Sequence, residues 1–142
     1  MELTTAMLAD GAHQVGGKLY VLGGQWDRLT VVSFPAHHPA MALVLVIRVE
    51  YTEALRMIDL VIDLTLDGES HGVGARARFE TGHAPGSAHG APSFVPVAIP
   101  FSNVAFTAPG RYEWVIKADD TELGRVPLEV AQGTIPIPQP TT

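Results

Sequence analysis

The sequence has 142 residues, 46% of them hydrophobic, a formal net charge of −6 and no cysteine. Its nine Lys and Arg are scattered singly, so no basic stripe is present to bind nucleic-acid phosphates, and without cysteine neither disulfides nor thiolate-bound zinc can form. The longest apolar run, residues 41–47, is far shorter than the about 20 residues of a membrane helix, so we expect no membrane insertion.

The two ends of the chain differ from its middle. No basic region and no apolar run precede Asp10, so we expect no signal peptide and a cytoplasmic location. Prolines alternate with other residues at the C-terminal end, a pattern that does not fit a sheet. We therefore expect one domain over residues 1–132 and a proline-rich tail over residues 133–142.

Between these ends, apolar residues recur at every second position, which is typical of half-buried strands. The pattern predicts eight strands, or nine if both arms of the last hairpin are counted. They lie near residues 3–8, 18–23, 28–33, 41–50, 57–66, 71–80, 94–106 with a break at Pro100, and 111–130. Only residues 51–56 have helical composition, so the sequence predicts an all-β protein, an antiparallel β-sandwich.

Turn residues and charges support this arrangement. Asp67-Gly68 and Asp119-Asp120-Thr121 are predicted to make hairpin turns. The two strands that flank the first turn place acidic residues, Asp59 and Asp63, across from a basic face, which indicates a solvated cross-strand set rather than catalytic carboxylates. Pro127 cannot donate to a ladder, so its strand is predicted at a sheet edge or at a bulge.

The stretch GGKLYVLGGQW, residues 16–26, places a short apolar strand between two glycine pairs. It lacks the G-x-G-x-x-G spacing and the Gly-Lys-Ser/Thr ending of phosphate-binding loops. A kelch propeller would need about four copies, and the sequence holds one. We therefore interpret Gly23 and Gly24 as turn and packing glycines around Trp26.

The stretch APGRYEW places Tyr112 at the start of a strand directly after a turn. Such a tyrosine resembles the tyrosine corner of immunoglobulin-like sandwiches, in which the phenol hydroxyl bonds the backbone a few residues upstream. The predicted sandwich is therefore immunoglobulin-like.

The stretch LADGAHQVGGKLYVLGGQW, residues 8–26, together with APGRYEW, resembles a family of small actinobacterial proteins classed only as a domain of unknown function. Gln25 and Asp120 stand where the family pattern would place glycine. The resemblance covers essentially the whole chain and implies a sandwich in a bacterial cytoplasm, with no catalytic residue. The matching positions are Asp10, Gly17, Lys18, Leu19, Tyr20, Gly23, Gly24, Trp26, Pro109, Gly110 and Tyr112.

Reactive constellations are not evident in the sequence. Its six histidines lack the spacing of metal-ligand motifs, and the acidic residues near 67–69 and 119–120 are explained by turn chemistry rather than by a calcium site. Residues 81–93 form a long loop of small residues and two histidines, which we interpret as mobile. We expect no metal, no cofactor and no enzymatic activity.

One predicted strand is apolar on both faces, whereas a strand of a sandwich needs only one apolar face. In residues 41–50 the odd positions form a core face, but Val44 and Val46 make the opposite face apolar as well. Such a strand is covered either by its own chain, through the N-terminal segment or residues 51–56, or by a partner. Val44 and Val46 are thus candidate interface residues.

The tail holds a second candidate interface. Ile135 and Ile137 alternate with prolines, and a tail that only faces solvent would not need isoleucines. We hypothesise that both pack on an apolar groove of a second copy or of a partner; the other interpretation is a disordered end.

The sequence therefore predicts a non-enzymatic β-sandwich that acts through protein contacts, as a homo-oligomer or as an accessory subunit. The alternative is a small-molecule or carbohydrate binder that uses Trp26, Tyr20 or Tyr51 as a stacking platform. Exposed, coplanar rings would favour the alternative, and buried rings would disfavour it.

Overall fold

The computed structural model of the chain describes residues 1–83 and 85–134. These residues contain nine strands and a short 3₁₀ helix, Tyr51–Glu53. The strands are β1 (Glu2–Val15), β2 (Lys18–Trp26), β3 (Arg28–Val31), β4 (Ala36–Val49), β5 (Met57–Leu66), β6 (Glu69–Glu80), β7 (Ser93–Phe106), β8 (Gly110–Ala118) and β9 (Thr121–Gln132). The all-β prediction is confirmed, and so is the single helical turn. Ile135 and Ile137 lie outside the described residues.

The strands form two sheets that pack face to face as a sandwich. Sheet A has four strands in the order β2-β1-β4-β7, and sheet B has five in the order β3-β9-β8-β5-β6. The strand pairs are antiparallel, apart from β3 and β9, which run parallel. The predicted β-sandwich is confirmed in this form, whereas its immunoglobulin-like topology stays a prediction.

The core lies between the two sheets because successive side chains of a strand point to opposite faces. Trp114 and Tyr112 of β8 and Phe106 of β7 are its largest fully buried side chains. Aliphatic side chains of β4 and β5 make a large part of the remaining core, each contributing about 1.5–3 kcal/mol before the entropy of ordering is subtracted. They are Leu43, Leu45, Ile47, Ile58, Leu60, Ile62 and Leu64.

Both predicted hairpin turns are confirmed. Leu66 pairs with Glu69 across Asp67-Gly68, and Ala118 pairs with Thr121 across Asp119-Asp120. All four turn residues have φ between 48° and 87°, in the left-handed region. Two successive positive φ values match the twist of the flanking strands, and Asp and Gly tolerate them better than most residues.

Two predictions about prolines are wrong. β7 continues through Pro100, which pairs with Ala42, because a strand at a sheet edge can turn a proline nitrogen to solvent without losing a ladder hydrogen bond. Pro127 lies in β9, which is not an edge strand, since β3 covers its last part. The β3 ladder begins only at Glu129, so Pro127 lies just outside it and the missing donor costs no bond there.

The predicted tyrosine corner is confirmed. Tyr112 is fully buried, and its hydroxyl donates a hydrogen bond to the backbone oxygen of Ala108 at 2.8 Å. Its ring meets the rings of Phe106 and His71 edge to face. The corner therefore fixes the turn that leads into β8 at the end of the core.

Candidate functional site

The β1–β2 hairpin extends beyond sheet A. β1 pairs with β4 only as far as Ala9, opposite Ala42, and from Gly11 onward it pairs with β2 alone. A register shift between Leu8 and Ala9 lies at the point of departure, where a bulge bends the strand. Beyond it, β1 and β2 both approach β7, although β4 lies between β1 and β7 in the sheet. We call residues 11–24 the overhang.

The overhang covers the outer face of sheet A. Ala12 is buried, and Leu19 and Val21 are half-buried, in a second hydrophobic cluster away from the main core. The same cluster includes Ala42 and Val44 of β4 and Ala98 of β7, on which the overhang packs. The overhang is therefore packed on the sheet along one of its own faces.

This packing corrects the proposed role of β4. Val44 is 0% exposed, so it is not available to a partner, and Val46 is half-buried. At Val44 the outer face of β4 is covered by the N-terminal segment of the same chain, which is one of the two coverings predicted for this strand. Val44 therefore does not support an interface, whereas the role of Val46 stays a prediction.

The opposite face of the overhang is also apolar, and it faces solvent. Val15, Tyr20 and Leu22 are 60%, 57% and 76% exposed. Tyr20 and Leu22 alternate along β2 with the half-buried Leu19 and Val21, as the pleat of a strand requires. The outward face of the overhang therefore presents large hydrophobic side chains from a segment whose inward face is anchored.

A shallow trough of about 350 Å³ lies on this outward face, and Gly11, His13, Tyr20 and Leu22 contribute to its lining. Leu22 pairs with Gly11 and Tyr20 with His13 across the hairpin. A Cβ added at Gly11 would have no atom within 4 Å, and its φ is not left-handed, so the fold itself does not require glycine there. The glycine leaves the floor of the trough open.

The other glycines of the overhang serve the chain itself. Gly16 and Gly17 make its turn with φ of 59° and 76°, and Gly23 has φ 59° with the Asp10 side chain where a Cβ would point. A Cβ at Gly24 would lie 3.1 Å from Val21 Cγ1. These glycines are turn and packing glycines as predicted, but they pack around Asp10 and Val21 and not around Trp26.

Two positions where the resemblance predicts glycine have left-handed backbone. Gln25 and Asp120 both have φ 66°, in the left-handed region. Gln25 lies beside the register shift of the hairpin, between the pairs of Gly24 and Trp26. Both residues therefore hold backbone angles that glycine adopts more easily.

The three aromatic residues proposed as a platform lie in different places. Trp26 is half-buried against the main core, with its ring centroid 5.8 Å from that of His38. Tyr51 stacks on His83 at 3.9 Å with a 13° interplanar angle. Tyr20 is the exposed one, and no coplanar pair of free rings is formed by the three.

The structure brings two of the six histidines together, around Tyr51. His89 meets that ring edge to face at 4.6 Å, whereas His83 stacks on it. Elsewhere, His71 Nε2 lies 2.8 Å from the backbone oxygen of Ala105. Within residues 1–83 and 85–134, no three His, Asp or Glu side chains are grouped so as to hold a metal ion. The mobility of the 81–93 loop stays a prediction.

The outer face of sheet B is charged and solvated. Arg78 Nε lies 2.8 Å from Asp59 Oδ1, which confirms that pair of the cross-strand set, whereas Asp63 instead accepts a hydrogen bond from Ser70 at 3.0 Å. Arg125 donates to Glu122, which lowers the pKa of the Glu122 carboxyl. A groove of about 480 Å³ runs across this face, and charged side chains of both signs, including Asp63, Arg76 and Glu122, line it.

Sequence reasoning named Tyr20 only as a candidate stacking platform, and it missed Leu22. The signal was present, because residues 19–22 are an unbroken apolar run, as apolar on both faces as β4. In β4 the run is buried on the core side and, at Val44, on the outer side as well. In β2 one side remains exposed, and that difference depends on where the hairpin crosses the sheet.

The fold and surface define a β-sandwich with an apolar hairpin packed on one sheet and exposed on its other side. Residues 4–131 match a family described as a family of unknown function, DUF6941, and the chain belongs to that family. No curated protein and no solved structure matches the chain significantly. Its actinobacterial origin and the N-terminal signature stay predictions. Among the described residues, no helix has the length and apolar character needed to cross a membrane.

Proposed function

We propose that this protein is a non-enzymatic β-sandwich that acts by binding another protein through the outward face of the overhang. The observation that carries the proposal is the exposure of Val15, Tyr20 and Leu22 on one anchored hairpin. Apolar side chains grouped on a surface are unfavourably hydrated, and binding a partner removes them from water. The other large exposed hydrophobic residues of the described chain are Val32, Leu55, Met57 and Phe94, which lie outside the overhang.

Preorganisation supports the same proposal. The inward face of the overhang packs on Val44 and Ala98, so the hairpin does not need to be ordered when a partner binds. Less conformational entropy is then lost on association. Tyrosine suits such a surface because it offers a large contact area with few rotatable bonds.

The non-enzymatic part of the proposal is supported by how polar groups are used. Arg125 binds Glu122 and Glu113, and Asp119 accepts hydrogen bonds from Arg56 and from the backbone of Asp59. These groups stabilise turns and strands. A catalytic site would instead hold polar groups toward a reacting atom in a cleft.

A small-molecule binder is the second candidate, and the trough beside Tyr20 favours it. Its volume, about 350 Å³, lies within the range of ligand sites in proteins. The trough is open along one side and apolar, so it would take a flat apolar ligand in contact with Tyr20. Tyr51 is not part of this candidate, because His83 already occupies a face of its ring.

A photocrosslinking amino acid placed at Leu22 of the full chain tests the first candidate. We expect covalent adducts with a protein, and few or none from the same amino acid at Val32, which is similarly exposed. Equal adducts from both positions would refute the proposal. A small molecule retained in native mass spectra of the purified protein, and lost in Gly11→Val, would favour the second candidate.

A further inference from the structure

The four edges of the two sheets differ in how they are protected against pairing. The edge strand β7 contains Pro96 and Pro100, β6 contains Arg76, Arg78 and Glu80, and β3 has only four residues. Prolines, charges and short length are the usual means of preventing edge-to-edge association. Three of the four edges are therefore protected.

The fourth edge, β2, lacks this protection. Its residues 19–24 include neither a charge nor a proline, and β1 is its hydrogen-bonded neighbour on one side. Tyr20 and Leu22 are exposed beside this edge. An edge that is long, apolar and unprotected is expected to pair with another strand.

We propose that β2 pairs with β2 of a second copy in antiparallel orientation, which joins two copies of sheet A into one sheet. The inference rests on the proposed function and names its partner. A two-fold interface needs a surface that is complementary to itself. The following register supplies that complementarity.

With Val21 on the two-fold axis, Tyr20 of one copy lies opposite Leu22 of the other, and both point to the outward face. Aromatic residues opposite aliphatic ones are favourable cross-strand pairs. Lys18 then lies opposite Gly24 of the second copy, so no like charges meet although each chain carries a net charge of −6. Left-handed backbone at Gly23 and Gln25 leaves Tyr20, Val21 and Leu22 of each copy as the regular part of this ladder.

Reciprocal charges test both the contact and its register. We compare the wild type with Leu22→Glu, Tyr20→Lys, the double variant Tyr20→Lys/Leu22→Glu and the like-charge double variant Tyr20→Glu/Leu22→Glu. Mass is measured by light scattering over a dilution series. The control is Val32→Glu, an equally drastic change at an exposed valine directly after β3.

We expect the wild type and the control to approach twice the 15.2 kDa of one chain at high concentration. Each single variant and the like-charge double variant should self-associate about tenfold more weakly or worse. The reciprocal double variant should regain most of the loss, because the ammonium introduced at Tyr20 then faces the carboxylate introduced at Leu22 of the other copy. Far-ultraviolet circular dichroism of every variant checks that the fold is retained.

A wild type that stays monomeric at every concentration overturns this inference, as does a dimer that the reciprocal double variant does not restore. The proposed function is judged separately. A monomer that still crosslinks to a different protein through Leu22 would keep the binding surface and replace the second copy by that protein.

Discussion

The outer faces of the two sheets are both built from strands with alternating side chains, but one face is exposed to water and the other is partly buried. On sheet B, Val61 is flanked by Arg76 and Lys117 on the neighbouring strands, and the face is open to water. On sheet A, Val44 lies beneath the overhang and is fully buried. Alternation along a strand therefore indicates which residues face the core. Whether the residues of the other face are exposed or buried depends on whether another segment of the chain crosses that face.

The largest expected effect on stability comes from an aspartate on the outer face of sheet A, and the same change on the outer face of sheet B is its control. Val44→Asp would bury a carboxylate without a partner, and we expect a loss of several kcal/mol in the free energy of unfolding. Val61→Asp places the carboxylate between two cations at a half-buried position, and we expect a change below about 1 kcal/mol. Urea melts measure both. Similar losses in the two variants would mean that the overhang does not seal sheet A.

A smaller loss is expected where the overhang bends. Gly23→Val forces a β-branched residue into left-handed backbone and into the space of the Asp10 side chain, at a cost of about 1–3 kcal/mol. Gly11→Val is the matched control in the same hairpin, because its Cβ meets no atom, and its midpoint should be unchanged or higher. An unchanged midpoint for Gly23→Val would show that the bend has ordinary backbone angles.

Removing the hydrogen bond of the tyrosine corner is expected to change the free energy of unfolding by about 1 kcal/mol. Tyr112→Phe keeps the buried ring and removes the hydrogen bond to Ala108, so the free energy of unfolding should fall by about 1 kcal/mol. Because this corner lies at the edge of the main core, the loss should be the same in the presence and absence of Gly11→Val. Coupling between the two substitutions would argue against independent regions.

The smallest effect concerns acid. The backbone N–H of Asp59 and the guanidinium of Arg56 lower the pKa of Asp119 below its ordinary value of 3.8. A lowered folded pKa stabilises the protein above the unfolded value, and the contribution is lost as pH falls through the folded pKa. The difference in melting temperature between wild type and Asp119→Asn, which tolerates the same turn, should therefore shrink below pH 3.8. A difference that is constant from pH 7 to about pH 2.5 would exclude this contribution.

Much of the fold follows from local chemistry. Period-two alternation locates the strands, and Asp-Gly and Asp-Asp define turns, because each signal depends on a few neighbouring residues. The β1–β2 overhang and the parallel β3–β9 pair do not follow in this way. A bulge at Leu8/Ala9 redirects the hairpin, and the partner of β3 is about a hundred positions away in the sequence. Local sequence patterns therefore predict neither feature.

The candidate site was predicted in part for the same reason. An apolar strand on both faces correctly indicated a second layer over sheet A, and Val44 is under it. The residues available to a partner are those on the solvent-facing side of the overhang, and the alternation in β4 does not identify them. Tyr20 and Leu22 are exposed because they alternate with Leu19 and Val21, and only the crossing of the hairpin determines which pair faces inward.

The parallel β3–β9 pair has a consequence for the order in which the chain can fold. Arg28 and Glu129 are 101 residues apart, and the backbone of Asp27 accepts a hydrogen bond from Glu129. During synthesis, β3 leaves the ribosome long before its neighbour exists, and contacts of such separation slow folding. β3 therefore remains without its hydrogen-bonded neighbour until nearly the whole domain has been made.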